Sequence, residues 1–130
     1  MEPTPALLIT ALRVNALFST LTGLLLAVAP SIVGEWLGVE IDGWLRLLGV
    51  GLVGHAVALG VAAGQSDVLR WGRINLALIA PYPAMLIVVL LAGLVSTGAG
   101  RTLLILDAAI VGAIAVAHQL GLRTARSAAA

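Results

Sequence analysis

The chain contains no cysteine and no lysine among its 130 residues, and its seven basic residues are all arginine. Without cysteine there can be no disulfide, thiol redox centre or thiolate metal site. Without lysine there can be no Schiff base and no lysine of a phosphate-binding loop. The formal net charge of +1 gives no indication of a nucleic-acid partner, and we expect none.

Charge of either sign is scarce as well, because charged residues make up 10% of the chain and hydrophobic residues 61%. An ordinary soluble domain has about a quarter of its residues charged. The charges separate four apolar stretches, and a membrane crossing needs roughly 20 mostly apolar residues. The stretches are residues 14–33, 44–63, 74–95 and 102–122. We therefore predict an all-α, polytopic membrane protein with a single domain, 1–130, folded as a bundle of four transmembrane helices.

The arginines are distributed unequally between the two ends of these stretches. If the N-terminus is inside, five lie on the inner side and two outside, and this bias favours cytoplasmic termini. The inner arginines are Arg13, Arg70, Arg73, Arg123 and Arg126, and the outer ones are Arg46 and Arg101. The start of the first helix stays open, at Ala6 with Arg13 below the surface or at Val14 with Arg13 at the headgroups.

Two short segments match across the halves of the chain. Arg13-Val14-Asn15 opens the first crossing, and Arg73-Ile74-Asn75 opens the third at a shift of 60 residues. Since the odd helices run in the same direction, the halves would be parallel repeats of a helical hairpin. A chance match in an apolar chain of low complexity is the alternative.

Polar side chains inside a crossing are costly, so they normally face the bundle interior and find partners there. Asn15, Ser19 and Thr22 share one face of the first helix, at spacings of four and seven residues. Asn15, His55, Asn75 and His118 are predicted to lie in the inner half of the membrane. We interpret this cluster as interhelical hydrogen bonding, with a ligand site as the alternative.

In the outer half, Asp107 is the one acid placed within a predicted crossing. We expect Arg46 to reach toward it and form a buried ion pair, with a proton-carrying acid as the alternative.

Pro81-Tyr82-Pro83 interrupts the third crossing near its middle. Each proline removes an amide donor, so the carbonyls of Ala77 and Ile79 lose their helical partners. Such breaks occur where they are packed in protein or line a wet cavity. We consider a packed kink first, and a ligand cavity that includes Tyr82 second.

Two histidines in crossings raise the hypothesis of a haem held by His55 and His118. Their predicted depths differ by roughly 6 Å, whereas a haem set across a bundle prefers level ligands. We therefore expect no haem, no metal site and no other cofactor.

Several short segments resemble small four-helix bacterial inner-membrane proteins that are loosely DoxX-like. The matching segments are residues 12–19, Gly23, Ala29-Pro30, residues 45–49 and residues 119–123. The resemblance implies four helices and a bacterial inner membrane, and it transfers no catalytic residue.

Three functions are weighed against each other. The first is a non-catalytic bundle, either an accessory or assembly subunit or a binder of lipid or another hydrophobic ligand. The second is a small oligomeric transporter or channel. An enzyme is the third and least favoured, because Asp107 is predicted in the other half of the membrane from His55, too far for a catalytic triad. Expected partners are the lipid bilayer and either further copies of the chain or other membrane subunits.

Overall fold

The structure, a computed structural model, describes residues 6–128 as six helices with no strand among them. The helices are α1 (Ala6–Val28), α2 (Pro30–Leu37), α3 (Asp42–Ala62), α4 (Val68–Ile79), α5 (Tyr82–Leu91) and α6 (Gly98–Ala128). The helices α1, α3, α4 with α5, and α6 give four spans long and apolar enough to cross a membrane. The predicted all-α architecture is confirmed, and the chain is a multi-pass membrane protein.

The first helix begins at Ala6, one of the two predicted starts, and the third span begins at Val68, before Arg70, because both helices continue past the arginines. The first span is Ala6–Val28 and the third is Val68–Leu91, so Arg13, Arg70 and Arg73 lie within helices. All three are exposed. A long arginine side chain can carry its charge to the membrane surface while its backbone stays helical. An arginine at the start of an apolar run therefore does not mark the start of the helix.

The residues after Val28 form a separate short helix instead of completing the first crossing. Pro30 lacks an amide hydrogen and occupies the first turn of α2, where a helix does not need that donor. Gly38 ends α2 in a left-handed conformation, with φ of 73°, and its amide donates to the Glu35 carbonyl at 3.2 Å.

We call the end of the bundle that holds α2 its outer end and the opposite end its inner end. The helix α2 lies over the outer ends of α1, α3 and α6 and contacts all three. Leu26, Val33 and Leu45 form a small buried core beneath it. The Thr97 hydroxyl at the start of α6 donates to the Trp36 carbonyl. The outer ends of these three helices are therefore covered by protein.

The main core lies at the inner end of the bundle, where all four spans meet. Its members are Leu8, Leu12, Leu59, Ala63, Val68 and Leu122, contributed by α1, α3 and its C-terminal turn, α4 and α6. Leu8 also fills the space beside two glycines, Gly72 on α4 and Gly121 on α6. The inner half of the bundle is consequently closed.

The closest approach between spans is that of α1 to α3, through Gly23 and Gly49. A Cβ added at Gly49 would lie 2.5 Å from the Ala27 nitrogen and 2.6 Å from the Gly23 carbonyl oxygen. Small residues allow such backbone contact in membranes, where dispersion and not the hydrophobic effect holds helices together. Sequence analysis did not single out this pair, because glycine is frequent throughout the chain.

Candidate functional site

A buried chain of hydrogen bonds joins three spans in the inner half. The Ser19 hydroxyl donates to Asn15 Oδ1 at 3.4 Å, and Asn15 Nδ2 donates to Asn75 Oδ1 at 3.4 Å. Asn75 Nδ2 lies 2.9 Å from His118 Nε2. All four side chains are buried, and His118 is 0% exposed. Asn75 is the centre of this hydrogen-bond network because its side chain is bonded to both α1 and α6.

The partners of His118 determine its tautomer. Its Nδ1 lies 2.9 Å from the Ile114 carbonyl oxygen, which can only accept, so Nδ1 carries the hydrogen. Nε2 is then free of hydrogen and accepts from Asn75 Nδ2. Every donor consequently points in one direction, from Ser19 through Asn15 and Asn75 to His118 and the Ile114 carbonyl.

This group is saturated within the protein. Within residues 6–128, no buried side-chain nitrogen or oxygen is left without a hydrogen-bond partner. Both ring nitrogens of His118 are engaged, which leaves neither for a haem iron. The structure thus brings together Asn15, Ser19, Asn75 and His118 as an interhelical network. His55 on α3 is half-buried and lies near the Asn75 side chain.

Asp107 has a different partner from the one expected. The Tyr82 hydroxyl donates to Asp107 Oδ2 at 2.8 Å and joins α5 to α6. Arg46 is exposed on α3, and in the described part of the chain α3 does not contact α6. The structure therefore does not bring Arg46 to Asp107, because the two residues lie on spans that are not neighbours.

The proline pair sets the position of Tyr82. The helix α4 ends at Ile79 and α5 begins at Tyr82, with Ala80 and Pro81 in the turn between them. Both turn residues keep right-handed helical dihedral angles, so the chain continues in the same direction across the break. Tyr82 lies nine residues before the end of α5, and Asp107 nine residues after the start of α6. At about 1.5 Å per residue, both are about 14 Å from the outer helix ends, close to mid-membrane.

At the level of Tyr82 and Asp107 the interior-facing side chains are only partly buried. Asp107 shares a face of α6 with Val111, Ile114 and His118, at spacings of four, seven and eleven residues. Those three are buried, but Asp107 is only half-buried. The same is true of Thr22 on α1, Leu52 on α3 and Tyr82 on α5. We call the space between Thr22, Leu52, Tyr82 and Asp107 the mid-membrane cleft.

The cleft opens sideways between α3 and α5. Among the described residues, α3 packs along α1 and touches α4, but it contacts neither α5 nor α6. The neighbouring seam, between α1 and α6, is closed by direct packing. Below the cleft, Phe18 and Tyr82 pack on the buried side chains of Ile79, Val111 and Ile114. The cleft is therefore closed toward the inner side and open toward the surrounding membrane.

A second concave surface lies outside the bundle, around the end of α2. It is a cavity of about 490 Å³ lined by Ser31, Gly34, Glu35, Gly38, Val39, Glu40 and Asp42. Its acids are exposed. No group of three or more histidine or acidic side chains within the described residues could hold a metal ion.

Comparison with known proteins adds no assignment. The chain matches no family model, no curated protein and no solved structure.

Tyr82 and Asp107 stood out in the sequence as polar residues in crossings, Thr22 shares a helix face with Asn15 and Ser19, and a cavity beside Tyr82 was one predicted alternative. The sequence did not indicate Leu52 or the opening between α3 and α5, which depend on where neighbouring spans diverge. The divergence has no local signal, since α3 is as apolar on its open side as on its packed side.

Proposed function

We propose that this protein is a non-catalytic membrane bundle that binds a hydrophobic ligand drawn from the bilayer through the opening between α3 and α5. One observation carries the proposal: among the described residues α3 contacts neither α5 nor α6, and interior-facing side chains beside that gap are only partly buried. A cleft with apolar walls and a few polar groups is the usual form of a small-molecule site.

The position of the opening supports a ligand that is dissolved in the membrane. The cleft meets the hydrocarbon layer at its side, while α2 covers the outer ends of three spans and the inner core closes the other end. Every buried polar atom of the network of Asn75 and His118 already has a protein partner, which supports a structural role for it and leaves recognition to the cleft.

For the membrane and the threading, we propose a bacterial inner membrane with both termini in the cytoplasm. The arginine bias supports the orientation. The resemblance to DoxX-like proteins supports the location.

The threading is testable because the chain has no cysteine and hence no labelling background. Ser96 and Ser66 are both exposed, at the α5–α6 connection and the α3–α4 connection respectively. We expect an impermeant maleimide to label Ser96→Cys in intact cells and Ser66→Cys only after lysis. The reverse pattern would place the termini outside.

Ligand access is testable with a phosphatidylcholine that carries a diazirine in its acyl chain. In vesicles of this lipid, we expect photolabelling of Leu52 and Tyr82 in the cleft as well as of lipid-facing positions such as Val50. Leu48 lies four residues before Leu52 on the same side of α3 and is 50% exposed. The variant Leu48→Trp should obstruct the opening and reduce labelling in the cleft, without changing labelling at Val50.

The adjacent residue supplies a matched control. Leu47 is 61% exposed but lies on a different face of α3, so Leu47→Trp adds the same side chain at the same depth. Labelling of the cleft should be unchanged in this variant. A cleft that is unlabelled in the unmodified protein would disprove lateral access and with it the proposed function.

A further inference from the structure

Asp107 is an intramembrane carboxylate without a cationic partner. Its one hydrogen-bond partner in the described structure is the neutral Tyr82 hydroxyl. Arg46 projects from a span that α6 does not contact, and the Arg101 Nε donates to the Val95 carbonyl at 3.2 Å near the outer end of α6. An acid in a span is costly and normally pairs with an opposite charge.

The depth of Asp107 restricts what could pair with it. A phospholipid ammonium group stays at the headgroup level, whereas Asp107 lies about 14 Å below the outer end of its helix. The partner must therefore carry a positive charge into the hydrocarbon layer. Organic cations whose charge is shielded by aromatic or alkyl groups can do so, and the Tyr82 ring beside Asp107 offers a surface that attracts a cation.

We propose that the ligand of the cleft is a lipophilic organic cation, anchored by the Asp107 carboxylate. This inference rests on the proposed function, because it specifies the chemistry of the molecule that enters between α3 and α5. The Asp107 charge selects the ligand, and Tyr82 orients the carboxylate through its hydroxyl.

Tetraphenylphosphonium and tetraphenylborate test the inference, since they have nearly the same size and shape but opposite charge. Equilibrium dialysis of each against the purified protein, corrected for empty micelles, should show tighter binding of the cation. Asp107→Asn keeps the shape of the side chain and removes the charge. It should weaken cation binding about tenfold or more, because the desolvated charge pair is lost. Binding of the anion should not weaken.

Two further variants control for charge and folding. Asp42→Asn makes the same chemical change in the cavity around the end of α2, away from the cleft, and should leave cation binding unchanged. Asp107→Glu retains the carboxylate and should retain cation binding within a few-fold. Equal binding of both ions, with no effect of Asp107→Asn, would overturn the inference and leave the photolabelling result standing. Binding of neither ion by a folded protein would also overturn the inference, and an unlabelled cleft would disprove the proposed function separately.

Discussion

Replacing Gly49 with alanine should destabilise the protein by about 1–3 kcal/mol, the usual range for overpacking a tightly packed contact. The added Cβ would lie 2.5 Å from the Ala27 nitrogen and 2.6 Å from the Gly23 carbonyl oxygen. Both are backbone atoms, so no side chain can rotate away, and α1 and α3 must separate. The free energy of unfolding, measured in micelles or bicelles by steric trapping, would show the loss.

Gly51 on the same helix is the matched control. A Cβ added at Gly51 would meet no heavy atom within 4 Å. Gly51→Ala should therefore change stability by no more than about 0.5 kcal/mol, as expected for an unpacked surface position. Equal losses in the two variants would contradict the α1–α3 contact as the cause, because helix propensity alone favours alanine over glycine.

The second large effect is expected at the centre of the buried network. Asn75→Leu removes the hydrogen bonds to α1 and α6 together and leaves Asn15 Nδ2 and His118 Nε2 without their partners. Interhelical hydrogen bonds in membranes average about 0.6 kcal/mol and reach about 1.7 kcal/mol. An unsatisfied buried group adds about 1–3 kcal/mol. We expect Asn75→Leu to cost about 1–3 kcal/mol in the same unfolding measurement.

Ser19 provides the comparison, because it lies at the end of the network and donates one bond, to Asn15. Ser19→Ala should cost about 0.6 kcal/mol or less. Nitrogen NMR of the His118 ring gives a second readout: Nδ1 should carry the hydrogen in the unmodified protein. A protonated Nε2, or equal costs at Ser19 and Asn75, would contradict the network as described.

The sequence was most informative where residues share one helix face. The spacing of Asn15 and Ser19 placed both toward the interior, and they are hydrogen-bonded there. The shared face of Asp107 and His118 was also evident from spacing alone. Such inferences succeed because helical periodicity is fixed by the backbone and does not depend on which spans are neighbours.

The sequence was least informative about which faces meet. Pairing Arg46 with Asp107 relied on similar depth and opposite charge, but α3 and α6 are separated by α1. A long arginine side chain can place its guanidinium group at the membrane surface. An arginine and an acid whose backbones lie at the same depth therefore need not form a pair. Contacts between spans depend on local shape, here the glycines at the α1–α3 interface, and shape cannot be read from hydropathy.

The two matched Arg-x-Asn segments are joined by a hydrogen bond in the structure. Asn15 and Asn75, the equivalent members, donate and accept one hydrogen bond between α1 and α4. Two parallel hairpin repeats, related by an axis along the membrane normal, would place equivalent residues near that axis in contact. On this interpretation the closed α1–α6 seam corresponds to the open seam between α3 and the third span. The cleft is then the place where the two halves differ most.

The helix α2 covers the outer ends of three spans, so ligand binding should depend on the ligand concentration within the bilayer. Because the described access to the cleft is through the membrane, occupancy follows the mole fraction of ligand in the bilayer and not its level in water. Two ligands with the same intrinsic fit will differ in apparent affinity by the ratio of their partition coefficients. Diluting the bilayer with additional lipid at constant total ligand should empty the cleft.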